Sequence, residues 1–346
     1  MLTSEVPINE LDTQMPLRPS LRVITADDPN PHERDDGISV ISFRNKPGLF
    51  RVAVFVADPS EDYNRDDVYR QALEKTEAEY WAEPDGSRGY NAMISPKVIR
   101  KHEFTKGAKL SALAISFTIG PDKPPSETEI SFEEVEIVSN LDFRGFAKRC
   151  QSAKGAKRYG EVSQLIKHHL GYNSGFESHQ ETAATVVISP SGKPITGRAG
   201  ENIRLKGSKI NEAYMIAANC LVGREMARLD LPAIYRVCDP NDRRFIDITA
   251  ANRAMYSMQP GRHDALGLDL YCRVTSPLRR GTDLVMGNIL KKISLGQSIN
   301  ARDMRDMVLM TQRSNQKILA GETQRKFQLP KPVLTRAALA PVSEVA

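Results

Sequence analysis

The chain has 346 residues, of which 40% are hydrophobic and 26% are charged. This composition is that of a folded protein and excludes the disordered and fibrous classes. The formal net charge of +5 suits a polyanionic partner, although many proteins without one carry as much. No apolar run approaches the roughly 20 residues that span a membrane, and the four cysteines include no CxxC pair. We therefore expect a cytoplasmic protein without membrane association, zinc site or disulfide framework.

The first part of the chain is predicted to consist mainly of β-strands. Short apolar runs rich in β-branched residues are typical of strands when Pro, Gly or acidic residues separate them. Five such runs occur, at 21–25, 37–43, 49–58, 108–119 and 129–138. Their order predicts neighbouring strands of one sheet.

Helices are predicted mainly in the second half. The predicted helices are 66–81, 143–170, one from about Ile210 with an apolar face, and 303–327. Residues 184–189 and 203–205 flank a Ser-Gly-Lys-Pro turn and predict a loose hairpin. Because no linker or repeat divides the chain, we predict one large α/β domain (mixed α+β) over 21–328, between an irregular lead-in (1–20) and a tail (329–346).

Acidic residues are concentrated between the first two predicted strands. Five carboxylates fall within ten residues there: Asp27, Asp28, Glu33, Asp35 and Asp36. Like charges held this close raise one another's pKa unless cations neutralise them, and oxygen ligands suit Mg²⁺ or Mn²⁺. Two such ions about 4 Å apart can clamp the attacking and leaving oxygens of a phosphodiester. A solvated acidic loop or a calcium-stabilised turn has the same composition, so the residues alone leave these alternatives open.

A second polar segment lies far downstream. Thr275-Ser276-Pro277 predicts a helix start, with a hydroxyl cap followed by Pro. Arg279 and Arg280 would then lie in the first turn, where the helix dipole disfavours cations. Binding of phosphate by the two guanidinium groups would explain why cations occupy this position. The alternative is an arginine pair on a solvated helix face.

The two segments together resemble the RNB catalytic domain of the ribonuclease II and ribonuclease R exoribonucleases. The family's first motif is an Asp, an Asp six residues later, and an Asp pair after one further residue. The same spacing is filled here by Asp27, Glu33, Asp35 and Asp36, with a Glu in place of the second Asp.

The second family motif, Tyr-x-x-x-Thr-Ser-Pro-Ile-Arg-Arg-Tyr-x-Asp-Leu, is similar to residues 271–284. Gly281 departs from it where an aromatic residue is usual, and Gly287 stands where a His commonly follows. The resemblance extends over residues 18–328. Two distant motifs in the same order are more specific than either motif alone.

The resemblance implies roles for individual side chains. It assigns Mg²⁺ or Mn²⁺ binding to Asp27, Glu33, Asp35 and Asp36. Asp35 would be the essential carboxylate, and Arg279 would stabilise charge on the phosphate in the transition state. Contacts to RNA are expected from Tyr80, Thr275, Ser276 and Arg280. A structural salt bridge is the alternative for Arg280. Core packing is the alternative for Tyr80, whose neighbour Trp81 could also take the stacking role.

Two further features concern RNA contact. Residues 143–160 contain six basic and no acidic residues: Arg144, Lys148, Arg149, Lys154, Lys157 and Arg158. This run could follow an RNA backbone or form a solvated helix face. His32 is expected to be a surface residue that could meet the substrate, because it lies within the acidic loop.

The resemblance also implies an architecture and an activity. We expect a mixed β-sheet core surrounded by helices, and a hydrolytic 3′-5′ exoribonuclease that degrades single-stranded RNA to nucleoside 5′-monophosphates. A stand-alone form without cold-shock and S1 domains is expected, with weak, distributive cleavage unless a partner protein supplies RNA-binding modules. The alternative is a catalytically degenerate RNB-fold protein that binds RNA or a protein partner. It is favoured by the departures at Glu33, Gly281 and Gly287, by Ala213 where the family has a second acidic residue, and by Cys238 where a His is typical.

Overall fold

Five strands close into a β-barrel at the centre of the protein. The computed structural model describes residues 21–63, 67–82, 88–152, 157–173, 199–238 and 254–328. The barrel strands, in spatial order, are β1 (Arg22–Asp27), β2 (Asp36–Ser42), β3 (Phe50–Ala57), β6 (Lys109–Gly120) and β7 (Lys123–Asp142). All pairs are antiparallel except β1 with β7, which is parallel. The sheet is therefore mixed, as predicted.

The β1–β2 hairpin brings its two backbones unusually close at Gly37. A Cβ atom at this position would lie 2.4 Å from Cγ1 of Val23 and 2.9 Å from the carbonyl oxygen of Ile24. A residue with a side chain would therefore push the strands apart. Since Gly37 directly follows Asp36, this close approach holds the start of β2, and with it Asp36, next to β1.

Two short hairpins, one 3-10 helix (Pro59–Glu61) and seven α-helices complete the described part of the chain. The hairpins pair β4 (Glu79–Ala82) with β5 (Arg88–Asn91) and β8 (Tyr235–Val237) with β9 (Met255–Ser257). The helices are α1 (Val68–Lys75), α2 (Pro96–His102), α3 (Phe143–Gln151), α4 (Lys157–Leu170), α5 (Ala199–Arg228), α6 (Gly281–Ser294) and α7 (Ala301–Gln328). None of the helices among the described residues is both long and apolar enough to cross a membrane.

Hydrophobic burial explains most of this arrangement. All eight residues of β3 are buried, because its side chains point alternately into the barrel and towards the elements that cover the barrel. In α5 the predicted apolar face is confirmed, since Tyr214, Ala217 and Leu221 are buried in the same core. The barrel and α5 together form the rigid support on which the acidic residues are placed.

Three predicted helix boundaries were wrong. The predicted helix 66–81 ends at Lys75, because Thr76 adopts a φ of +62° and its carbonyl accepts a hydrogen bond from Gly281 across the fold. The predicted helix 143–170 is two helices, α3 and α4. The helix expected to start at Thr275 begins at Gly281, with Arg280 as its N-cap residue.

The predicted hairpin was also wrong where it can be compared. Residues 203–205 lie within α5, and 184–189 lie outside the described residues, as do the predicted lead-in 1–20 and the tail 329–346. The five predicted strands are all present, within a few residues of their expected bounds, apart from β7, which starts earlier at Lys123 and ends later at Asp142.

Candidate active site

The acidic loop (residues 27–36) joins β1 and β2 of the barrel. Asp27 ends β1 and Asp36 begins β2, so the hairpin itself places these two carboxylates side by side. Glu33 and Asp35 lie on the connection between them and are buried, with 7% and 3% of each residue exposed. The structure thus brings all four predicted metal ligands to one end of the barrel. The fifth carboxylate, Asp28, instead accepts a hydrogen bond of 3.0 Å from Nε of Arg204 on α5.

Burial makes this cluster electrostatically unfavourable for a protein without a cation. Desolvation raises the pKa of Asp27, Asp35 and Asp36 from 3.8 to about 7 in each case. The charge of Asp27 further raises the pKa of Asp36, and Arg279 opposes the shift in all three. Near neutral pH these carboxyl groups therefore hold their protons more tightly than ordinary aspartates, and a positive charge nearby would release them.

Three buried carboxylate oxygens in this cluster accept no hydrogen bond: Asp27 Oδ2, Glu33 Oε2 and Asp36 Oδ1. Leaving a buried anionic oxygen without a partner costs far more than leaving a neutral one. Hard cations such as Mg²⁺ and Mn²⁺ bind oxygen ligands of this kind. The residues present therefore fit a divalent cation, with one free oxygen each from three of the predicted ligands.

The acidic cluster is more open than a closed metal site. Among the described residues, one group of three potential ligands has its ligand atoms within 4.8 Å of one another: Glu61, Asp62 and His102. No three of the four predicted ligands meet that distance. In the Glu61 group, however, Nζ of Lys101 lies 2.6 Å from Glu61 and 2.7 Å from Asp62. The ammonium group already forms an ion pair with each carboxylate, so this group is an ion-pair cluster.

The arginine loop (residues 274–280) lies against the acidic loop. The N–H of Leu278 donates a hydrogen bond of 2.7 Å to Oδ1 of Asp35. Nε of Arg279 lies 3.3 Å from Oδ2 of Asp35 and 4.0 Å from Oε1 of Glu33. One third of the Arg279 side chain is exposed, so the guanidinium group can reach both the carboxylates and a molecule entering from solvent.

Arg280 contacts Ser276 and Asp283 and so stabilises the arginine loop, while its charge also lowers the pKa of Asp36. Its Nη2 donates a hydrogen bond of 2.7 Å to Oγ of Ser276. Its Nη1 lies 3.5 Å from Oδ2 of Asp283, which is fully buried. Asp283 also accepts a hydrogen bond of 2.9 Å from the N–H of Ser276. These contacts support the structural alternative for Arg280.

Thr275 and Ser276 are both buried and engaged within the protein. Nδ2 of Asn219 on α5 donates to Oγ1 of Thr275 at 3.4 Å, and its Oδ1 accepts from the N–H of Val274 at 2.9 Å. Thr275 therefore holds the arginine loop against α5, whereas Ser276 bonds Arg280 and Asp283 at the start of α6. The role of both hydroxyl residues in binding RNA stays a prediction.

Aromatic side chains border the acidic cluster on the side of the β4–β5 hairpin. Tyr80 on β4 is 47% exposed and its hydroxyl donates a hydrogen bond to Oε1 of Glu33. Tyr90 lies opposite it on β5, with ring centroids 5.3 Å apart. His32 stacks on Tyr90 at 4.2 Å with an interplanar angle of 5°, and is exposed as predicted. Trp81 lies on the other face of the hairpin, over Gly89, so Tyr80 is the aromatic residue of this pair that faces the acids.

Sequence reasoning missed Tyr90. It assigned Tyr80 to the end of a helix, whereas Tyr80 is directly paired with Tyr90 in a two-stranded sheet. The alternating pattern of Glu79-Tyr80-Trp81 and the Gly-Tyr pair at 89–90 are the signals that could have indicated a hairpin.

Gly281, where the family motif has an aromatic residue, has no room for a side chain. A Cβ atom there would lie 2.6 Å from Sδ of Met310 and 3.1 Å from the carbonyl oxygen of Thr76. Met310 on α7 fills this space, so the departure from the motif is matched by local packing. At Gly287 a Cβ atom would meet nothing within 4 Å.

Sequence comparison connects the chain to known ribonucleases. The profile of the RNB domain family matches residues 246–295, which include the arginine loop. Ribonuclease R of Aquifex aeolicus is 22% identical, over 86% of this chain and 49% of its own length. The chain spans less than half the length of the curated relatives it matches.

Solved structures share the fold over most of the chain. Mycoplasma genitalium RNase R in complex with ribose-methylated single-stranded RNA has a TM-score of 0.66 at 14% identity, covering 92% of this chain and 59% of that chain. Yeast Ssd1, described as a pseudonuclease, has a TM-score of 0.59 at 14% identity, covering 85% of this chain and 42% of that chain. The same fold thus occurs both in an RNA-bound ribonuclease and in a pseudonuclease.

Proposed function

We propose that this chain, a relative of the RNB-domain ribonucleases in sequence and fold, is a metal-dependent exoribonuclease that hydrolyses single-stranded RNA from its 3′ end. The observation that carries the proposal is the set of three buried, unpartnered carboxylate oxygens beside a partly exposed arginine. Such an arrangement is costly unless a cation and an anionic substrate enter together. A phosphodiester next to Mg²⁺ or Mn²⁺ meets both needs.

Asp27, Glu33 and Asp36 would hold the ion through their unpartnered oxygens. These oxygens would have to move closer together, because no three of these carboxylates lie within 4.8 Å of one another. When bound, Mg²⁺ or Mn²⁺ activates water and neutralises charge on the phosphodiester oxygens. Asp35 differs from the other three because the Leu278 N–H fixes its Oδ1. Its Oδ2, which lies 3.3 Å from Nε of Arg279, would orient the attacking water or accept a proton from it.

Arg279 would bind the scissile phosphate from the other side. Its Nε now lies against Asp35 and Glu33, and a phosphate oxygen entering the site would offer a second anionic acceptor. Preorganised donors of this kind stabilise the charge that develops in the transition state. Tyr80 would stack on a base near the 3′ end, since stacking tolerates any sequence. The released products are expected to be nucleoside 5′-monophosphates.

A time course on 5′-labelled single-stranded RNA tests this proposal. Wild-type protein with Mg²⁺ or Mn²⁺ should give a ladder that shortens from the 3′ end. Asp35→Asn should abolish the ladder, whereas Asp122→Asn, a control at an exposed turn, should not. Chromatography should identify nucleoside 5′-monophosphates. Internal cuts that persist in Asp35→Asn would refute this site as their source.

A second candidate is a catalytically degenerate protein that binds RNA or a protein without cleavage. The fold that it shares with the pseudonuclease Ssd1 favours this candidate, as does the engagement of Glu33 by Tyr80. RNA that stays intact with every metal, despite measurable binding, would establish it. A partner protein that supplies further RNA-binding modules stays a prediction under either candidate.

A further inference from the structure

We propose that an exposed basic surface on α3 and α5 binds the sugar-phosphate backbone of single-stranded RNA. The nucleotides bound there would lie on the 5′ side of those that occupy the acidic loop. The basic surface consists of Arg144, Lys148 and Arg149 on α3 and of Lys206 and Lys209 on α5. The inference rests on the proposed function in one respect: the RNA held by this surface is taken to be the substrate of the acidic site.

The charge of the basic surface is not neutralised within the described part of the chain. All five side chains belong to exposed residues. None of them forms an ion pair with another described residue, in contrast to Lys101, Lys291 and Lys292, which each contact a carboxylate. The segment 143–160 also contains no Asp or Glu. Exposed, uncompensated cations on neighbouring helices suit a polyanion that offers regularly spaced phosphates.

Close packing brings the cations of the two helices together. A Cβ atom at Gly207 would lie 1.9 Å from the carbonyl oxygen of Phe143, so α5 and the start of α3 touch through their backbones. Burial raises the pKa of the Cys150 thiol to about 11, and Arg149 and Lys206 both oppose this shift. Both cations therefore lie near the same thiol, one from each helix, and form a single surface.

The same two helices border the acidic loop. Asp142 pairs with Asp27 across β7 and β1 and caps α3 by accepting a hydrogen bond of 2.6 Å from the N–H of Gly145. On α5, Arg204 bonds Asp28, and Asn211 bonds Asp36 through its side chain. From strand spacing and helix rise, the cations of α3 begin within roughly 10 Å of Asp27 and continue for about 7.5 Å along the helix.

The acidic loop and the basic surface would contact different parts of one RNA strand. The 3′ end would lie at the acidic loop, and the nucleotides before it would run over the basic surface. Backbone contacts supply affinity without sequence preference. Long single strands should therefore gain affinity from the basic surface, whereas oligonucleotides too short to leave the acidic site should not.

Fluorescence anisotropy in EDTA tests the proposal, because it measures binding without cleavage. The probes are fluorescein-labelled oligo(U) of about 20 and about 4 nucleotides. The variant is Lys148→Gln with Arg149→Gln. The matched control is Arg44→Gln with Lys46→Gln, two exposed cations in the β2–β3 turn, about 20 Å from Asp36 along β2.

The α3 variant should bind the long probe roughly ten-fold more weakly at low salt. It should also lower the slope of log affinity against log salt by about 1.4, because each phosphate contact contributes about 0.7 for a single strand. Its affinity for the short probe, and the affinities of the control variant, should match those of wild type.

Three results overturn the proposal: no binding of the long probe by wild type, equal salt slopes for wild type and the α3 variant, or equal losses on both probes. Competition by polyglutamate as strong as that by RNA would instead assign the basic surface to an acidic protein. The cleavage assay tests the proposed function separately, because RNA that stays intact there refutes the activity. A protein that binds RNA through the basic surface but does not cut it is thereby distinguished from an active ribonuclease.

Discussion

Asp35 and Leu278 are joined by a hydrogen bond of 2.7 Å between the carboxylate and the backbone N–H. This bond fixes the acidic loop to the arginine loop and leaves the neighbouring Arg279 3.3 Å from the same carboxylate. The position of Arg279 thus depends on the loop backbone, while its guanidinium group stays partly exposed. Because the next residue, Arg280, is directed into the protein, the two arginines should respond to mutation in different ways.

Replacing Arg279 should impair catalysis more than folding. Arg279→Met removes a donor aimed at the site of developing charge, and we expect kcat to fall about 10²–10³-fold. The midpoint of urea unfolding should fall less than in Arg280→Met, because the Arg279 side chain is one-third exposed and Asp35 keeps its hydrogen bond from the Leu278 N–H. Single-turnover cleavage of labelled RNA measures the rate. A variant with unchanged kcat would exclude Arg279 from the transition state.

Replacing Arg280 should impair folding first. Arg280→Met leaves the fully buried Asp283 without its cation, and breaking a buried pair in this way costs about 3–5 kcal/mol. Urea unfolding of the Arg280→Met and wild-type proteins measures the difference, with Arg279→Met as the matched control. A loss smaller than that of the control would contradict the structural role.

The stability of the metal-free protein should fall as the pH rises. The pKa of Asp27, Asp35 and Asp36 lies at about 7, above the unfolded value of 3.8. The folded chain therefore keeps protons that the unfolded chain releases, so in EDTA the free energy of unfolding should fall as the pH rises from about 4 through 7. Asp36→Asn should flatten this profile, and Asp122→Asn should not.

Added Mn²⁺ should restore the stability that the metal-free protein loses as the pH rises. The cation replaces the protons on the carboxylates, so the increase in Tm on adding Mn²⁺ should be larger at about pH 8 than at about pH 6. Differential scanning fluorimetry at both pH values measures it. An equal increase in Asp36→Asn would place the ion elsewhere.

Tyr80 should contribute to RNA binding through its ring. Tyr80→Phe keeps the ring and loses the hydrogen bond to Glu33, so affinity for a single strand should be nearly unchanged. Tyr80→Ala should weaken binding by roughly 1–3 kcal/mol, the contribution of one stacked base. Trp81→Ala is the control, because Trp81 lies on the opposite face of the hairpin. Anisotropy in EDTA measures all three, and equal effects of the two alanine variants would argue against stacking at Tyr80.

Gly281 should tolerate no side chain. Gly281→Ala brings a Cβ atom to 2.6 Å from the Met310 sulfur, and overpacking of this kind costs about 1–3 kcal/mol. Gly287→Ala, where the space is open, should instead stabilise α6 by up to about 1 kcal/mol. Urea unfolding measures both variants. Recovery of stability when Met310→Ala is added to Gly281→Ala would confirm the contact.

The sequence by itself determined the strands and the proximity of Asp27 to Asp36. β-branched runs specify strands through local backbone preference and burial, and all five barrel strands were predicted. The acidic residues lie on one short hairpin, so their spacing alone brings Asp27 and Asp36 together. Local chemistry was sufficient because the interacting residues are close in the chain.

Only the tertiary structure decided how the arginine loop and the β4–β5 hairpin complete the site. The helix that contains Val68 ends where Thr76 bonds Gly281, and Tyr80 continues in a strand for that reason. Burial at the end of the barrel, which no local pattern encodes, raises the pKa of the carboxylates. Contacts between residues more than two hundred positions apart, such as Asp35 with Leu278, depend on the packing of the whole domain, and this packing sets the chemistry of the site.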